Sequence, residues 1–166
     1  IVAFFTGAKP VVVDTHDLNV VKNILDDLPL DMAFDPGKTS LIDGIEESVR
    51  LAKGWEPDST TLLIISDGDT VADTGLPKLP PSINKVFVAG VGDPRRGVFI
   101  DGHMSRQNSR VLRQLARRLG GEYVDVNDVQ IPTSQLADLA GVRNLVDPGE
   151  KGRREILGIH TRGMPL

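Results

Sequence analysis

The chain has 166 residues, a formal net charge of −4 and a composition of 40% hydrophobic and 25% charged residues, which suits one α/β-sized domain with a real core. Its acidic balance, with a sequence pI near 5.3, argues against nucleic acid as the main partner. With no cysteine a disulfide framework and a thiolate metal site are excluded, and no apolar run approaches the roughly 20 residues that cross a bilayer.

The chain opens inside an apolar run, Ile1 to Phe5, with no signal-peptide pattern, and reads as part of a longer protein. Ile1 to Thr6 is expected as a strand, with Gly7-Ala8-Lys9-Pro10 turning into a second strand, Val11 to Val13, so that the two make a hairpin. From Asp17 to Leu28 the apolar residues Leu18, Val21, Ile24, Leu25 and Leu28 fall at helical spacing, and Pro29 closes the helix.

Gly37 to Lys53 is more specific. Ser40 followed by Asp43 resembles a capping box, and Leu41, Ile45, Val49 and Ala52 line one face of the helix that follows. A helix beginning at Ser40 leaves Thr39 just outside, its hydroxyl directed elsewhere. The stretch Thr60 to Thr70, TTLLIISDGDT, then reads as a buried parallel strand that delivers Asp67 and Asp69 to its carboxyl end. That end is where open α/β sheets bind ligands.

The Pro-rich segment from Gly75 to Ser82 is expected as an irregular crossover, and Val86 to Val91 as another buried strand. Gly90 and Gly92 beyond it read as close backbone packing. Arg95 to Gln107 reads as a long polar loop. From Ser109, the residues Leu112, Leu115, Ala116 and Leu119 predict a helix ended by Gly120-Gly121, with Arg110, Arg113, Arg117 and Arg118 largely outside its apolar stripe. Tyr123 to Val126 predicts a last strand and Ser134 to Leu139 a weak helix, while 142–166 reads as a tail or linker behind a domain at 1–141. Strands alternating with helices predict an α/β fold, a mostly parallel central sheet with helices on both faces.

A hydroxyl at Thr39 and a carboxylate at Asp67 are hard oxygen donors, suited to Mg²⁺ or Mn²⁺ rather than zinc. Gly37-Lys38-Thr39-Ser40-Leu41, Leu63-Ile64-Ile65-Ser66-Asp67-Gly68, Val88-Ala89-Gly90-Val91-Gly92, and Leu115-Ala116 leading to Gly120-Gly121-Glu122-Tyr123 resemble, in order and spacing, the von Willebrand factor A (vWA) domain. The resemblance implies a Rossmann-like vWA fold over Ile1 to about Val126. It also implies a metal-ion-dependent adhesion site holding Mg²⁺, or Mn²⁺ or Ca²⁺, with Thr39 and Asp67 among the ligands.

The family's Asp-x-Ser-x-Ser loop has no counterpart in this chain, and Ile1 to Phe5 resembles the family's second strand. The first strand, its loop and its helix are therefore expected upstream, and the chain alone is expected to bind metal weakly and to leave strand edges unpaired. The function implied is metal-assisted protein binding without catalysis, the partner's own acidic residue completing the coordination. The Arg95 to Gln107 segment resembles A domains of bacterial membrane-anchored proteins, in which the domain itself is soluble and the membrane is met only through segments outside this chain.

Two rival readings remain. Asp67-Gly68-Asp69-Thr70-Val71 after an apolar strand also resembles the first motif of haloacid-dehalogenase-type phosphatases, with Asp67 as nucleophile and Asp69 as general acid and base around Mg²⁺. The other is a structural A domain without metal. A phosphate-binding P-loop is rejected because Met32 stands where the pattern needs Gly. His16, His103 and His160 have no ligand spacing. The arginines of the Ser109 helix, with Arg95, Arg96 and Arg106, read as a solvated face, the other use being an acidic protein partner, since no aromatic residue is interleaved to stack bases.

Overall fold

The computed structural model describes residues 1–27, 33–35, 37–69, 75–100, 103–127, 134 and 137. Of the expected Ser134 to Leu139 helix only residues 134 and 137 are described, both helical, while the close of the first helix at Pro29 and the 142–166 tail lie outside the described residues. The chain forms two compact units, Ile1–Gly54 with Thr70–Pro81, and Trp55–Asp69 with Ser82–Leu166.

In the first unit, β1 (Val2–Phe4) and β2 (Ala8–Pro10) form the expected hairpin, but its second strand comes earlier than Val11 to Val13. The turn closes at once, with the Phe5 N–H donating to Gly7 O at 2.9 Å, so the register pairs Phe4 with Ala8 and Val2 with Pro10. Pro10 falls at the strand end, where its missing N–H costs least. The pairing continues irregularly beyond it, through Val11 N–H to Ile1 O at 2.9 Å. β1 pairs with no other strand among the described residues.

Helix α1 (Leu18–Asp26) is capped by Asp17, whose side chain accepts from the Asn19 N–H. Its apolar spacing forms a helix without a buried face, and Leu25 is 64% exposed. Helix α2 (Leu41–Ala52) begins as its capping residues dictate, with Ser40 Oγ accepting from the Asp43 N–H at 3.4 Å. Of the predicted face, Leu41, Ile45 and Ala52 are buried and Val49 is half-buried. Gly44 brings α2 onto β1, because a Cβ there would lie 2.8 Å from the Phe4 ring.

In the second unit, β3 (Thr60–Ser66), β4 (Ile83–Gly90) and β7 (Glu122–Asp125) form a parallel sheet in the order β3-β4-β7. The register runs Ile64 to Val88 to Tyr123. This is a mixed α/β architecture around a three-stranded parallel sheet, consistent with a Rossmann-like fold. β4 is the central strand, and Val86, Phe87, Val88 and Ala89 are all buried, as expected for a strand flanked on both sides.

β3 departs from the expectation of full burial. Ile64 is buried, yet Leu63 is 48% and Ile65 53% exposed. The strand lies at the sheet's edge, and helix α3 (Ser109–Arg118) packs against β4 and β7. The α3 residues Leu112, Leu115 and Ala116 supply that contact face and are at most 2% exposed. Gly121 permits the turn from α3 into β7, since a Cβ there would sit against Val86 O.

The Arg95 to Gln107 segment is more ordered than a loop. It folds as an antiparallel hairpin of β5 (Val98–Ile100) and β6 (His103–Ser105), with Phe99 opposite Met104. The sequence carried the signal, a Val-Phe-Ile run followed by Asp101-Gly102, the commonest kind of short hairpin turn. Asp93 anchors its base by accepting the Arg95 and Arg96 N–H groups at 2.7 and 3.0 Å. Those two bonds hold the Asp93 carboxyl below the usual range, with the Arg96 amide contributing most.

Candidate functional site

The β-propensity of Thr60 to Ser66 ends at Asp67-Gly68, and the chain turns there. Gly68 takes φ 73°, a left-handed conformation that side chains with a Cβ resist. A Cβ at Gly68 would also lie 2.6 Å from Leu112 Cγ, so glycine lets the turn seat on the start of α3. The Asn108 N–H donates to Asp67 O at 2.7 Å, and Asn108 Oδ1 in turn caps α3 by accepting from the Val111 N–H at 3.2 Å. The end of β3 and the amino end of α3 are thus joined through one residue pair.

Asp67 is half-buried and both carboxylate oxygens are engaged. Oδ1 accepts the Asp69 N–H at 3.2 Å, an Asx turn that shapes the loop. Oδ2 accepts from Ser105 Oγ at 2.9 Å. The Ser66 hydroxyl accepts the Gly68 N–H at 3.1 Å. Asp69 is exposed, so the two carboxylates that look equivalent in the sequence occupy different environments.

Gln107 closes the other side. It is 3% exposed, and its Nε2 donates to Tyr123 Oη at 3.1 Å. Its Oε1 has no hydrogen-bond partner among the described residues, an arrangement that costs free energy unless a donor or cation serves it. Gly90 makes room for this contact, because a Cβ there would collide with Gln107 Nε2 and lie 2.7 Å from Tyr123 Oη. A Cβ at Gly92 would lie 3.8 Å from both Asp67 Cβ and Gln107 Cβ, so these side chains flank the same glycine. The expected close packing at a strand end matches Gly90, whereas Gly92 leaves room for a Cβ and is favoured as glycine by its φ of 89°. Burial first, and then the Asp125 carboxylate, push the Tyr123 phenol up from its ordinary value, while the Gln107 hydrogen bond acts in the opposite direction.

Thr39 belongs to the first unit, half-buried immediately before the Ser40 cap. The Ser40 N–H donates to Phe5 O at 2.5 Å, which fixes the Gly37-Lys38-Thr39 loop against the end of β1. Gly37 is needed there, since a Cβ would lie 2.5 Å from Thr6 Cγ2.

Among the described residues no three His, Cys, Asp or Glu side chains come together. Hydroxyl oxygens fall outside that class, and the Ser105 hydroxyl is what accompanies the Asp67 carboxylate. A carboxylate beside a serine hydroxyl offers hard oxygen donors, the chemistry that Mg²⁺, Mn²⁺ and Ca²⁺ accept. Ser105 and Gln107 were not legible as site residues. Ser105 stands 38 positions from Asp67, and nothing in its local pattern marks it.

No family model matches the chain, and no curated protein matches it. Among solved structures it is similar to the conserved hypothetical protein BatB from Bacteroides thetaiotaomicron, at 17% sequence identity and a TM-score of 0.61. That likeness covers 83% of this chain and 74% of BatB. At such identity it extends to the fold and no further. Among the described residues no helix is long and apolar enough to cross a membrane.

Proposed function

We propose that this chain is a metal-assisted protein-binding module of the vWA type, with Asp67 and Thr39 as metal ligands and no catalysis of its own. The observation that carries the reading is the placement of Asp67 at the carboxyl end of a parallel strand, half-buried and oriented by Ser105 Oγ at 2.9 Å. Carboxyl ends of parallel strands are where open α/β sheets place ligands. A ligating carboxylate is characteristically held by a neighbouring hydrogen bond of this kind.

The cation, Mg²⁺ or its substitutes Mn²⁺ and Ca²⁺, would supply a Lewis-acidic centre with open positions. This chain's part is to present hard oxygens and to keep the Asp67 carboxylate aimed. With such a cation held, an acidic side chain of a protein partner would be the group that completes the coordination. By the same vWA resemblance, the module belongs to a bacterial membrane-anchored protein.

The test is Mn²⁺ titration of the isotopically labelled chain followed by NMR, which detects weak sites. Paramagnetic broadening centred on the amides of Asp67 and Ser105, and abolished in Asp67→Asn, is the expected result. Broadening centred elsewhere, or unchanged by Asp67→Asn, would overturn the assignment.

A further inference from the structure

Helix α3 carries a second surface that the metal reading does not use. Its inner residues Leu112, Leu115 and Ala116 are buried, whereas Arg110, Arg113, Gln114 and Arg117 are exposed. These four line one shallow depression of about 320 Å³. Their spacing of three, four and seven positions makes a single stripe along the helix, roughly 10 Å long at 1.5 Å per residue. Arg113 and Arg117 also line an adjoining depression with Ala116, Gly121, Glu122 and Tyr123.

The placement of these charges has an electrostatic cost within the helix. Arg117 and Arg118 lie in the last turn, where the helix dipole favours cations. Arg110 lies in the first turn, which holds no acidic residue and where the dipole opposes a positive charge. Arg110 with Arg113, and Arg113 with Arg117, are like-charge neighbours that destabilise a helix by a few tenths of a kcal/mol each. Among the described residues no carboxylate forms an ion pair with Arg110, Arg113 or Arg117, while Arg50 on α2 does pair with Glu47, at 2.6 Å. In a chain of net charge −4, this stripe concentrates positive charge on one helix face, with Glu122 beside its Arg113–Arg117 end.

One of the three is also preset. The Arg113 guanidinium lies 5.0 Å from the centre of the Tyr123 ring, a cation–π contact that restricts the side chain before any ligand arrives. Ordering it in advance lowers the entropy lost on binding.

We propose that the Arg110–Arg113–Arg117 stripe is a docking surface for a carboxylate-rich segment of a protein partner, independent of the metal site. Guanidinium groups match carboxylates with paired, planar hydrogen bonds, and three at helical spacing suit acidic side chains spaced along a short helix. Nucleic acid fits less well. Tyr123 is the aromatic residue at the stripe and Arg113 already lies over its ring, leaving no stacking platform, and the overall negative charge opposes a long polyanion.

The test uses a fluorescent, alanine-based helical peptide with Glu at positions spaced four and seven apart, titrated with the chain at low salt in the presence of EDTA. Saturable binding is expected, weakened tenfold or more by the triple substitution Arg110→Gln, Arg113→Gln, Arg117→Gln, abolished when the peptide's Glu are replaced by Gln, and unchanged by Asp67→Asn. Circular dichroism checks that the triple variant is folded. Should it fail to fold, the triple Arg→Lys variant keeps the charge and removes the fork, and a severalfold loss of affinity is then expected. Absence of peptide binding, equal binding by the variants, or tighter binding of a single-stranded oligonucleotide or of phosphatidylglycerol vesicles would each overturn the proposal. Because EDTA is present and Asp67→Asn is a control, failure here leaves the metal reading standing, and the reverse holds too.

Discussion

Ser105 Oγ donates to Asp67 Oδ2 at 2.9 Å, tying the second strand of the β5–β6 hairpin to the carboxylate at the end of β3. If Asp67 is a metal ligand, Ser105 is the residue that aims it. Ser105→Ala is expected to weaken Mn²⁺ binding by about 10-fold, the low end for loss of a partner behind a ligand, while leaving the chain folded. Asp67→Asn should abolish it. Titration of both variants by isothermal calorimetry or NMR checks the order, and equal affinity in Ser105→Ala and the unaltered chain would remove Ser105 from the site.

Asp67 and Asp69 differ in burial and in hydrogen bonding, the Asp69 N–H serving the Asp67 carboxylate at 3.2 Å. A phosphatase using both carboxylates needs them to converge on one pocket. The expected outcome is no turnover of para-nitrophenyl phosphate with Mg²⁺ present. Turnover that vanishes in Asp67→Asn and in Asp69→Asn would replace the binding reading by that enzyme.

Gly68 combines φ 73° with a neighbour 2.6 Å from any added Cβ. Gly68→Ala should therefore cost about 2–4 kcal/mol, from left-handed strain together with overpacking of Leu112. Urea denaturation gives the value. A loss under about 0.5 kcal/mol, the scale of an ordinary surface change, would mean that the turn relaxes at little cost.

Tyr123 is the chain's single tyrosine, so its ionisation can be followed directly by ultraviolet absorbance. Its pKa is raised from 10.0, by burial and then by Asp125, while the Gln107 hydrogen bond lowers it. Gln107→Leu should raise it further. Because the folded value lies above the unfolded one, the associated stability is present below about pH 10 and is lost as pH rises through the folded pKa. A Tyr123 titration that moves down in Gln107→Leu would contradict the hydrogen-bond direction.

Asp93 gives the opposite sign. Its carboxyl is held below 3.8, first by the Arg96 N–H and then by the Arg95 N–H. The contribution is complete above the unfolded value and disappears as pH falls through the lower folded one. The Arg95 and Arg96 amide resonances should shift together in an acid titration with a midpoint below 3.8. In Asp93→Asn that transition should vanish.

Several elements were legible because their cause is local. The Ser40–Asp43 pattern fixed where α2 begins, the apolar spacing of Leu112, Leu115 and Ala116 fixed α3 and its buried face, and the unbroken run before Asp67-Gly68 placed a carboxylate at a strand end. A period of 3.6 or a capping hydroxyl acts over a few residues, so the sequence by itself determined these features. The β5–β6 hairpin was missed, because the polar composition of Arg95 to Gln107 reads as a loop although a Val-Phe-Ile run followed by Asp101-Gly102 is a local hairpin signal.

Other features depend on where distant segments arrive. Strand register paired Val2 with Pro10, the packing on one face of β3 left Leu63 and Ile65 half exposed while Ile64 on the other face is buried, and chain reversal set Gln107 against Gly90 and Tyr123. The same holds for Ser105 and Asp67, 38 residues apart. No local propensity encodes such meetings, because each depends on packing and hydrogen bonds made between elements, and only the tertiary structure decided them.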